Sequence, residues 1–231
     1  MTSALSIDDN VSSDLDAAVE AGGAIYDWVL PLYDFVVMRF NSPVLWRCSP
    51  RTLQDHYARH VSTRHLDVGV GSGYFLDRCS FGTEQPQLGL CDLNARALRY
   101  VRRRLARFDD VALYRRNVLE PLELPRRYHS VGLNYVLHCI PGAMQDKGIR
   151  VLGNLAACLE PGGVLFGATV LADKAQQWKL SRVALRRICA RGIFHNQRDT
   201  EAGLRQALES VFSQHEIRVE GAVALFWGRN G

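Results

Sequence analysis

Three glycines occupy every second position of one turn within the segment HLDVGVGSGYFLDRC, residues 65–79. Gly69, Gly71 and Gly73 follow a short apolar run and precede residues with a helical pattern. Because glycine has no Cβ atom, such a turn lets a ligand come very close to the backbone. A tight junction between a strand and a helix also uses glycines, so the turn alone leaves both interpretations open.

A carboxylate stands on each side of this glycine turn. Asp67 lies two residues before Gly69, and Asp92 ends the next apolar run, QLGLCD. A carboxylate about 20 residues after such glycines, at the end of a second strand, can accept hydrogen bonds from both hydroxyls of a ribose. Capping a helix is the alternative role of Asp92, but its combination with the glycines favours a nucleoside site.

The elements that must position these residues alternate along the chain. Continuously apolar runs predict strands at 65–70, 87–92, 111–117, 130–138 and 163–171, with helical patterns between most of them. Such strands form a parallel sheet with helices on both faces, and ligands bind at the carboxyl ends of its strands. The glycine turn follows the first of these strands, so we expect the site at that edge of the sheet.

The chain divides into a leader and a core. The pattern of residues 1–60 predicts a polar tail followed by a helical cap or lid, and the pattern of residues 61–231 predicts the ligand-binding core. Within the core, residues 171–210 predict a helical insertion, and the last two strands meet in a hairpin at Gly221. The hairpin would add an antiparallel strand to the sheet.

The residues around the glycines distinguish between two nucleoside cofactors, NAD and S-adenosylmethionine. Enzymes that use NAD carry GxGxxG, whereas Tyr74 occupies the position of the last glycine here. Asp67 would repel a pyrophosphate but suits a cation, which makes an NAD-dependent oxidoreductase the disfavoured alternative. S-adenosylmethionine combines an adenosine with a positively charged sulfonium, and it fits this pattern better.

Over residues 20–229 or so, the chain resembles the class I S-adenosylmethionine-dependent methyltransferases, most closely those that modify small molecules and natural products. The family's first motif, an acidic residue followed by xGxGxG, is matched by Asp67, Gly69, Gly71 and Gly73. Its acidic residue at the end of the second strand is matched by Asp92, followed by Leu93. These residues are therefore expected to bind the cofactor.

The resemblance implies further cofactor-binding residues. Asn117 and Val118 match positions that read the adenine amino group and pack beside its ring. Many members carry Asp where Asn117 stands, but an Asn oxygen can also accept from the amine. Asn134 matches a position near the methionine end. Tyr26 and Tyr33, in the YDxxxxxYD spacing, are candidates for lining that end, although an aromatic stripe at this spacing is also typical of a core.

The resemblance also implies a fold and a reaction. We expect a Rossmann-like α/β fold with a mostly parallel seven-stranded sheet, an antiparallel C-terminal strand and a helical N-terminal leader. Methyl transfer is an in-line displacement, so holding donor and acceptor in line and excluding water supply most of the catalysis. His138 and His195 are candidate bases for a hydroxyl acceptor, and packing is the alternative role of each.

Composition restricts the partners. No apolar stretch reaches the roughly 18 residues of a membrane span, and the start MTSALSIDDNVSS does not resemble a signal peptide. The six cysteines contain no CxxC pair, so we expect no metal site and a cytoplasmic location. NYVL follows the fourth strand where nucleic-acid methyltransferases commonly carry a DPPY-like tetrapeptide.

We therefore expect a small, partly apolar acceptor methylated on O, N or C, with no nucleic-acid partner. Secondary-metabolite or quinone-like biosynthesis is the expected setting. A homodimer is possible, and the sequence does not decide the oligomeric state. The alternative from a different functional class is a protein that binds S-adenosylmethionine without transferring methyl.

Overall fold

The computed structural model describes residues 6–10, 34–175 and 177–229, with 34–39 described by their backbone. In these ranges, eight strands form one sheet in the order β1-β4-β3-β2-β5-β6-β8-β7. They are β1 (Asp8–Asp9), β2 (Arg64–Val68), β3 (Gln87–Asp92), β4 (Val111–Arg115), β5 (Tyr128–Asn134), β6 (Leu159–Val170), β7 (Gln214–Glu220) and β8 (Val223–Arg229).

The pairing of these strands confirms the expected α/β fold. Strands β1 to β6 pair in parallel, and β8 pairs antiparallel with both β6 and β7. The predicted hairpin is confirmed, since β7 and β8 are joined at Gly221 and Ala222. The chain reverses there and inserts β8 between β6 and the edge strand β7.

The expected number of strands was wrong by one, because the structure adds β1. This strand has two residues, which is too short for an alternating pattern to show in the sequence. Its position is held by charge: the carboxylate of Asp8 lies 2.8 Å from the guanidinium of Arg116, and that of Asp9 lies 3.2 Å from that of Arg115. Part of the predicted polar tail is therefore an edge of the sheet.

Helices cover both faces of the sheet. They are α1 (Pro50–His60), α2 (Tyr74–Asp77), α3 (Ala95–Arg104), α4 (Met144–Ala156), α5 (Ala172–Ala175), α6 (Lys179–Ala190) and α7 (Glu201–Val211), with a π-helix over Asp34–Leu45 and a 3-10 turn over Leu137–Cys139. Side-chain caps set several starts, as sequence patterns predict. Ser49 accepts from the Thr52 N–H, and Asn94 accepts from the Arg96 N–H.

Alternate residues of the strands supply a core on each face. Leu66 of β2 is fully buried in the cluster that also contains Leu152 of α4 and Leu204 of α7. The opposite cluster contains Tyr57 of α1 and Leu98 of α3. The sheet thus lies between two layers of helices, and the carboxyl ends of β2 to β5 meet at one edge.

The hairpin turn at Gly221 packs directly on the linker before α1. Gly221 has a left-handed backbone (φ +60°), and a Cβ added there would overlap the carbonyl oxygen of Trp46. The Ala222 N–H donates to that same oxygen at 2.7 Å. The absence of a side chain at Gly221 is what lets the linker reach the turn.

We expect Gly221→Ala to lower the free energy of unfolding more than Gly162→Ala does. Gly162 is also left-handed (φ +74°), but no atom lies within 4 Å of an added Cβ. Both variants carry the backbone strain of about 1–2 kcal/mol, and only Gly221→Ala adds the overlap with backbone. Urea denaturation measures the free energy of unfolding of both variants. Equal losses would show that the linker can move away from the added methyl group without a cost in stability.

Candidate functional site

A cavity of about 570 Å³ lies at the carboxyl ends of β2, β3, β4 and β5. Its walls contain the predicted cofactor-binding residues that fall within the described ranges: Asp67, Gly69, Gly71, Gly73, Asp92, Leu93, Asn117, Val118 and Asn134. Residues from four separate strand ends are therefore brought to one space. Tyr26 and Tyr33, the other two predicted residues, lie outside the described residues.

The glycine turn between β2 and α2 has a left-handed backbone at each glycine, with φ of +66°, +51° and +73°. A Cβ at Gly69 would overlap the side chain of Val136, and one at Gly73 would lie 2.8 Å from Val101 Cγ1. A Cβ at Gly71 would meet nothing nearer than the Gly69 oxygen at 4.0 Å. Protein packing thus requires the outer two glycines, whereas Gly71 borders open space.

Asp92 presents a carboxylate opposite this turn. One of its oxygens accepts the Asn94 N–H at 2.8 Å. Burial raises the pKa of Asp92 to about 6, and the charge of Asp67 adds to this rise. Hydrogen bonds from the N–H groups of Asn94, Gly71 and Val70 oppose it. Asp92 is ionised at neutral pH and can accept hydrogen bonds from hydroxyl groups in the cavity.

Asp67 is the second carboxylate of the cavity and is 7% exposed. Its Oδ1 accepts a hydrogen bond of 2.9 Å from the hydroxyl of Tyr57. The other oxygen remains for a donor or a cation in the cavity. That a positive group of a ligand lies beside Asp67 stays a prediction.

Two asparagines supply amide groups to the cavity. The Asn134 Nδ2 is buried and has no hydrogen-bond partner among the described residues. A buried donor without a partner is unfavourable by about 1–3 kcal/mol, so this site favours a ligand with an acceptor oxygen. The Asn117 Oδ1 accepts the Leu119 N–H at 3.0 Å and keeps one lone pair for a second donor.

Neither His138 nor His195 belongs to the described residues that line the cavity. His138 is 2% exposed, and its Nδ1 accepts the Val170 N–H at 3.2 Å. Its ring packs 4.2 Å from that of Phe194, centroid to centroid. Burial, with a smaller effect of the Lys147 charge, lowers the pKa of His138 to about 3, so the ring is neutral. The His195 N–H donates to the His138 carbonyl at 2.8 Å, which brings the two histidines together.

The cavity also contains residues that the sequence did not single out: Arg116, Tyr135, Val136, Cys139, Ile140 and Pro141. Tyr135 follows Asn134 directly and has a left-handed backbone (φ +58°), which ends β5 before the predicted limit. Its hydroxyl lies 2.8 Å from the Ser42 Oγ of the π-helix. The signals in the sequence were their position directly after β4 and β5 and, for Cys139, Ile140 and Pro141, the likeness of LHCIPG to small-molecule methyltransferases.

A buried ion pair fixes the loop that carries Ile140. The Lys147 Nζ lies 2.9 Å from the Asp199 Oδ2 and donates to the Ile140 carbonyl at 2.7 Å. Burial raises the pKa of Asp199 to about 6 and lowers that of Lys147. Because both groups lose solvation, each depends on the other, and the loop is anchored to the segment before α7.

The described ranges contain neither a metal cluster nor a membrane-spanning helix. No group of three or more His, Cys, Asp or Glu residues there could hold a metal ion. None of the described helices is both long enough and apolar enough to cross a bilayer.

Several known proteins similar to this chain are named methyltransferases. A family described as "Methyltransferase domain" matches residues 66–165. Demethylluteothin O-methyltransferase of Streptomyces thioluteus is 40% identical over 198 residues, which cover 85% of each protein. The physcion biosynthesis cluster O-methyltransferase of Aspergillus chevalieri is 34% identical and covers 90% of this chain and 94% of its own. The fold matches human N-acetylserotonin methyltransferase in complex with SAM, with TM-score 0.64, 16% identity and coverage of 96% of this chain and 60% of that one.

We expect Gly71→Ala to weaken the binding of S-adenosylhomocysteine at least about tenfold, because its methyl group would enter the open space of the cavity. Gly82→Ala is the matched control: Gly82 has φ +69°, no atom within 4 Å of an added Cβ, and no place in the cavity wall. The two variants share the same backbone strain, so their unfolding free energies should fall alike. Calorimetric titration separates them, and equal affinities would contradict the assignment.

Proposed function

Because the chain belongs to the class I S-adenosylmethionine-dependent methyltransferases and uses S-adenosylmethionine as its cofactor, we propose that it methylates an oxygen of a small, partly apolar metabolite in natural-product biosynthesis. The observation that carries the proposal is the convergence of Asp67, Asp92 and the glycine turn on one cavity. The choice of oxygen rests on the relative that is 40% identical and is named an O-methyltransferase.

The residues of the cavity fit the cofactor. Asp92 would hold the ribose hydroxyls, and Asn117 and Val118 would hold the adenine. Leu93 would pack beside the nucleoside, and Gly71 leaves the space for it. Asp67 would accept from the ammonium group at the methionine end, and the unpartnered Asn134 Nδ2 would donate to its carboxylate. When bound, the cofactor supplies a methyl group on a positively charged sulfur.

The wall beyond Asn134 supports a neutral acceptor. Its residues, Tyr135, Val136, Cys139, Ile140 and Pro141, include no Asp, Glu, Lys or Arg. Apolar and aromatic walls with a few polar groups are typical of sites for small organic ligands. The anchored loop around Ile140 would hold such an acceptor in line and keep water from it.

Three further parts of the proposal concern the division of the chain, the catalytic base and the location of the protein. Residues 61–231 form the catalytic core, to which β1 and α1 of the predicted leader add an edge strand and a packed helix; Tyr26 and Tyr33, predicted to line the methionine end, lie outside the described residues. The proton of the acceptor hydroxyl goes to His195, or to His138 after its Nδ1 leaves the hydrogen bond with the Val170 N–H. The protein acts in the cytoplasm and does not act on nucleic acid. The sequence argument against nucleic acid is NYVL at the end of β5, where a DPPY-like tetrapeptide would stand.

Methyl transfer can be tested directly with isotope-labelled S-adenosylmethionine. The protein is incubated with the labelled cofactor and a fractionated extract of small metabolites, and mass spectrometry follows S-adenosylhomocysteine and labelled products. We expect a labelled methyl ether to form together with S-adenosylhomocysteine. Label on nitrogen or carbon would overturn the choice of oxygen, and binding without any product would overturn methyl transfer.

Binding of S-adenosylhomocysteine should weaken as the pH falls from 7 to 5, because the pKa of Asp92 is about 6. Ribose hydroxyls donate to the ionised carboxylate, so the bound state favours ionisation and protonation opposes binding. Asp92→Asn should lower the affinity at pH 7 by about 1.5–3 kcal/mol and remove this pH dependence. Calorimetry at several pH values gives the comparison, and an unchanged pH slope in the variant would remove Asp92 from the site.

The proposed role of His138 predicts that His138→Gln lowers kcat by about 10²–10⁴-fold and leaves cofactor affinity unchanged. With a pKa of about 3, this ring contributes no limb to the pH profile between pH 5 and 8. His195→Gln is the companion variant, since His195 is the other candidate base. A normal kcat with lowered stability in His138→Gln would assign the residue to packing.

A further inference from the structure

Asp67 stands at one end of a buried chain of polar side chains. The Tyr57 hydroxyl donates to Asp67 Oδ1 at 2.9 Å and lies 2.8 Å from His65 Nε2. The His65 Nδ1 lies 2.8 Å from the Ser130 Oγ, which lies 2.9 Å from the Ser62 Oγ. Tyr57, His65 and Ser130 are each 0% exposed, so water does not replace any of these contacts.

The protons of this chain can be assigned one by one. The hydroxyl proton of Tyr57 goes to Asp67, so His65 Nε2 must donate to the Tyr57 oxygen. The Ser62 hydroxyl donates to the Arg64 carbonyl at 2.9 Å, so the contact between the two serines uses the proton of Ser130. His65 Nδ1 must then donate to Ser130. With the Asp67 carboxylate acting only as an acceptor, all contacts are hydrogen bonds together only when both ring nitrogens of His65 carry protons.

Aromatic packing holds the two rings of this chain in place. The Tyr57 ring stacks on Phe75 at 5.2 Å and meets the edge of Phe166 at 5.2 Å. The His65 ring stacks on Phe166 at 5.8 Å. Burial and the charge of Asp67 raise the pKa of Tyr57 well above its usual range, so its hydroxyl stays a donor.

The neighbouring strand leaves room for this arrangement at one position. Gly132 of β5 is the register partner of Asp67. A Cβ at Gly132 would lie 3.1 Å from Asp67 Oδ1 and 3.2 Å from His65 Nε2. Its φ is not left-handed, so an alanine there would disturb the two side chains without straining the backbone.

We propose that Tyr57 and His65 are positioning residues that hold the Asp67 carboxylate toward the methionine end of the cofactor, with His65 present as the imidazolium. The inference rests on the proposed function, which places Asp67 beside the ammonium group. Tyr57 fixes one carboxylate oxygen, and the imidazolium, whose Nε2 is 3.6 Å from that oxygen, balances the buried charge. Because Tyr57 belongs to α1, this helix, which lies outside the glycine motif, orients the other oxygen of the Asp67 carboxylate.

Two ligands distinguish positioning from general stabilisation. S-adenosylhomocysteine carries the amino-acid tail, whereas 5′-methylthioadenosine has the same nucleoside without it. We expect Tyr57→Phe and Gly132→Ala to weaken S-adenosylhomocysteine about tenfold in calorimetry, the effect of losing about 1.4 kcal/mol, and to leave 5′-methylthioadenosine unchanged. Tyr128→Phe is the matched control, because its buried hydroxyl donates to the Tyr114 hydroxyl and does not reach the cavity.

The outcomes separate the two proposals. Wild-type protein that binds neither ligand would overturn the cofactor site itself. Binding of both ligands by the wild type, with Tyr57→Phe weakening both equally or neither, would overturn positioning alone. Nitrogen NMR of labelled histidine adds a signature that needs no turnover: His65 should show two protonated ring nitrogens at neutral pH, and a neutral tautomer would overturn its assignment as the imidazolium.

Discussion

The close packing of the glycine turn against two valine side chains at the end of β2 is the constraint on which the rest of the site depends. Gly69 passes Val136 with no space for a side chain, and Gly73 passes Val101 of α3 in the same way. The turn can therefore lie against both the chain after β5 and the first helix beyond β3. Any larger residue would push these segments apart, and the four strand ends would no longer share one cavity.

Buried polar groups lie on both sides of this turn. The turn directs N–H groups toward Asp92, and the strand before it directs Asp67 toward α1. On the other side, the Lys147 and Asp199 pair anchors the loop with Ile140. Each of these groups would be unfavourable alone in the interior, so the surrounding helices must be in place before the cavity has its shape.

The sequence predicted those parts of the fold that depend on local pattern. The strand Gln87–Asp92 and the hairpin at Gly221 both follow from apolar runs and from residues with strong local preferences. The sequence could not predict β1, which depends on ion pairs with Arg115 and Arg116 more than a hundred positions away in the chain. It also extended β5 through His138, because the left-handed turn at Tyr135 is imposed by tertiary contacts.

Strand β1 has a consequence for how copies of this chain can meet. It pairs with Tyr114 and Arg115, which are residues that an open β4 would offer to another strand. At the opposite edge, β7 carries Glu216, Arg218 and Glu220, and charges of this kind discourage the addition of a strand. Growth of the sheet from one molecule into the next is therefore disfavoured at both ends, and a second copy would find its contact surface on a helical face.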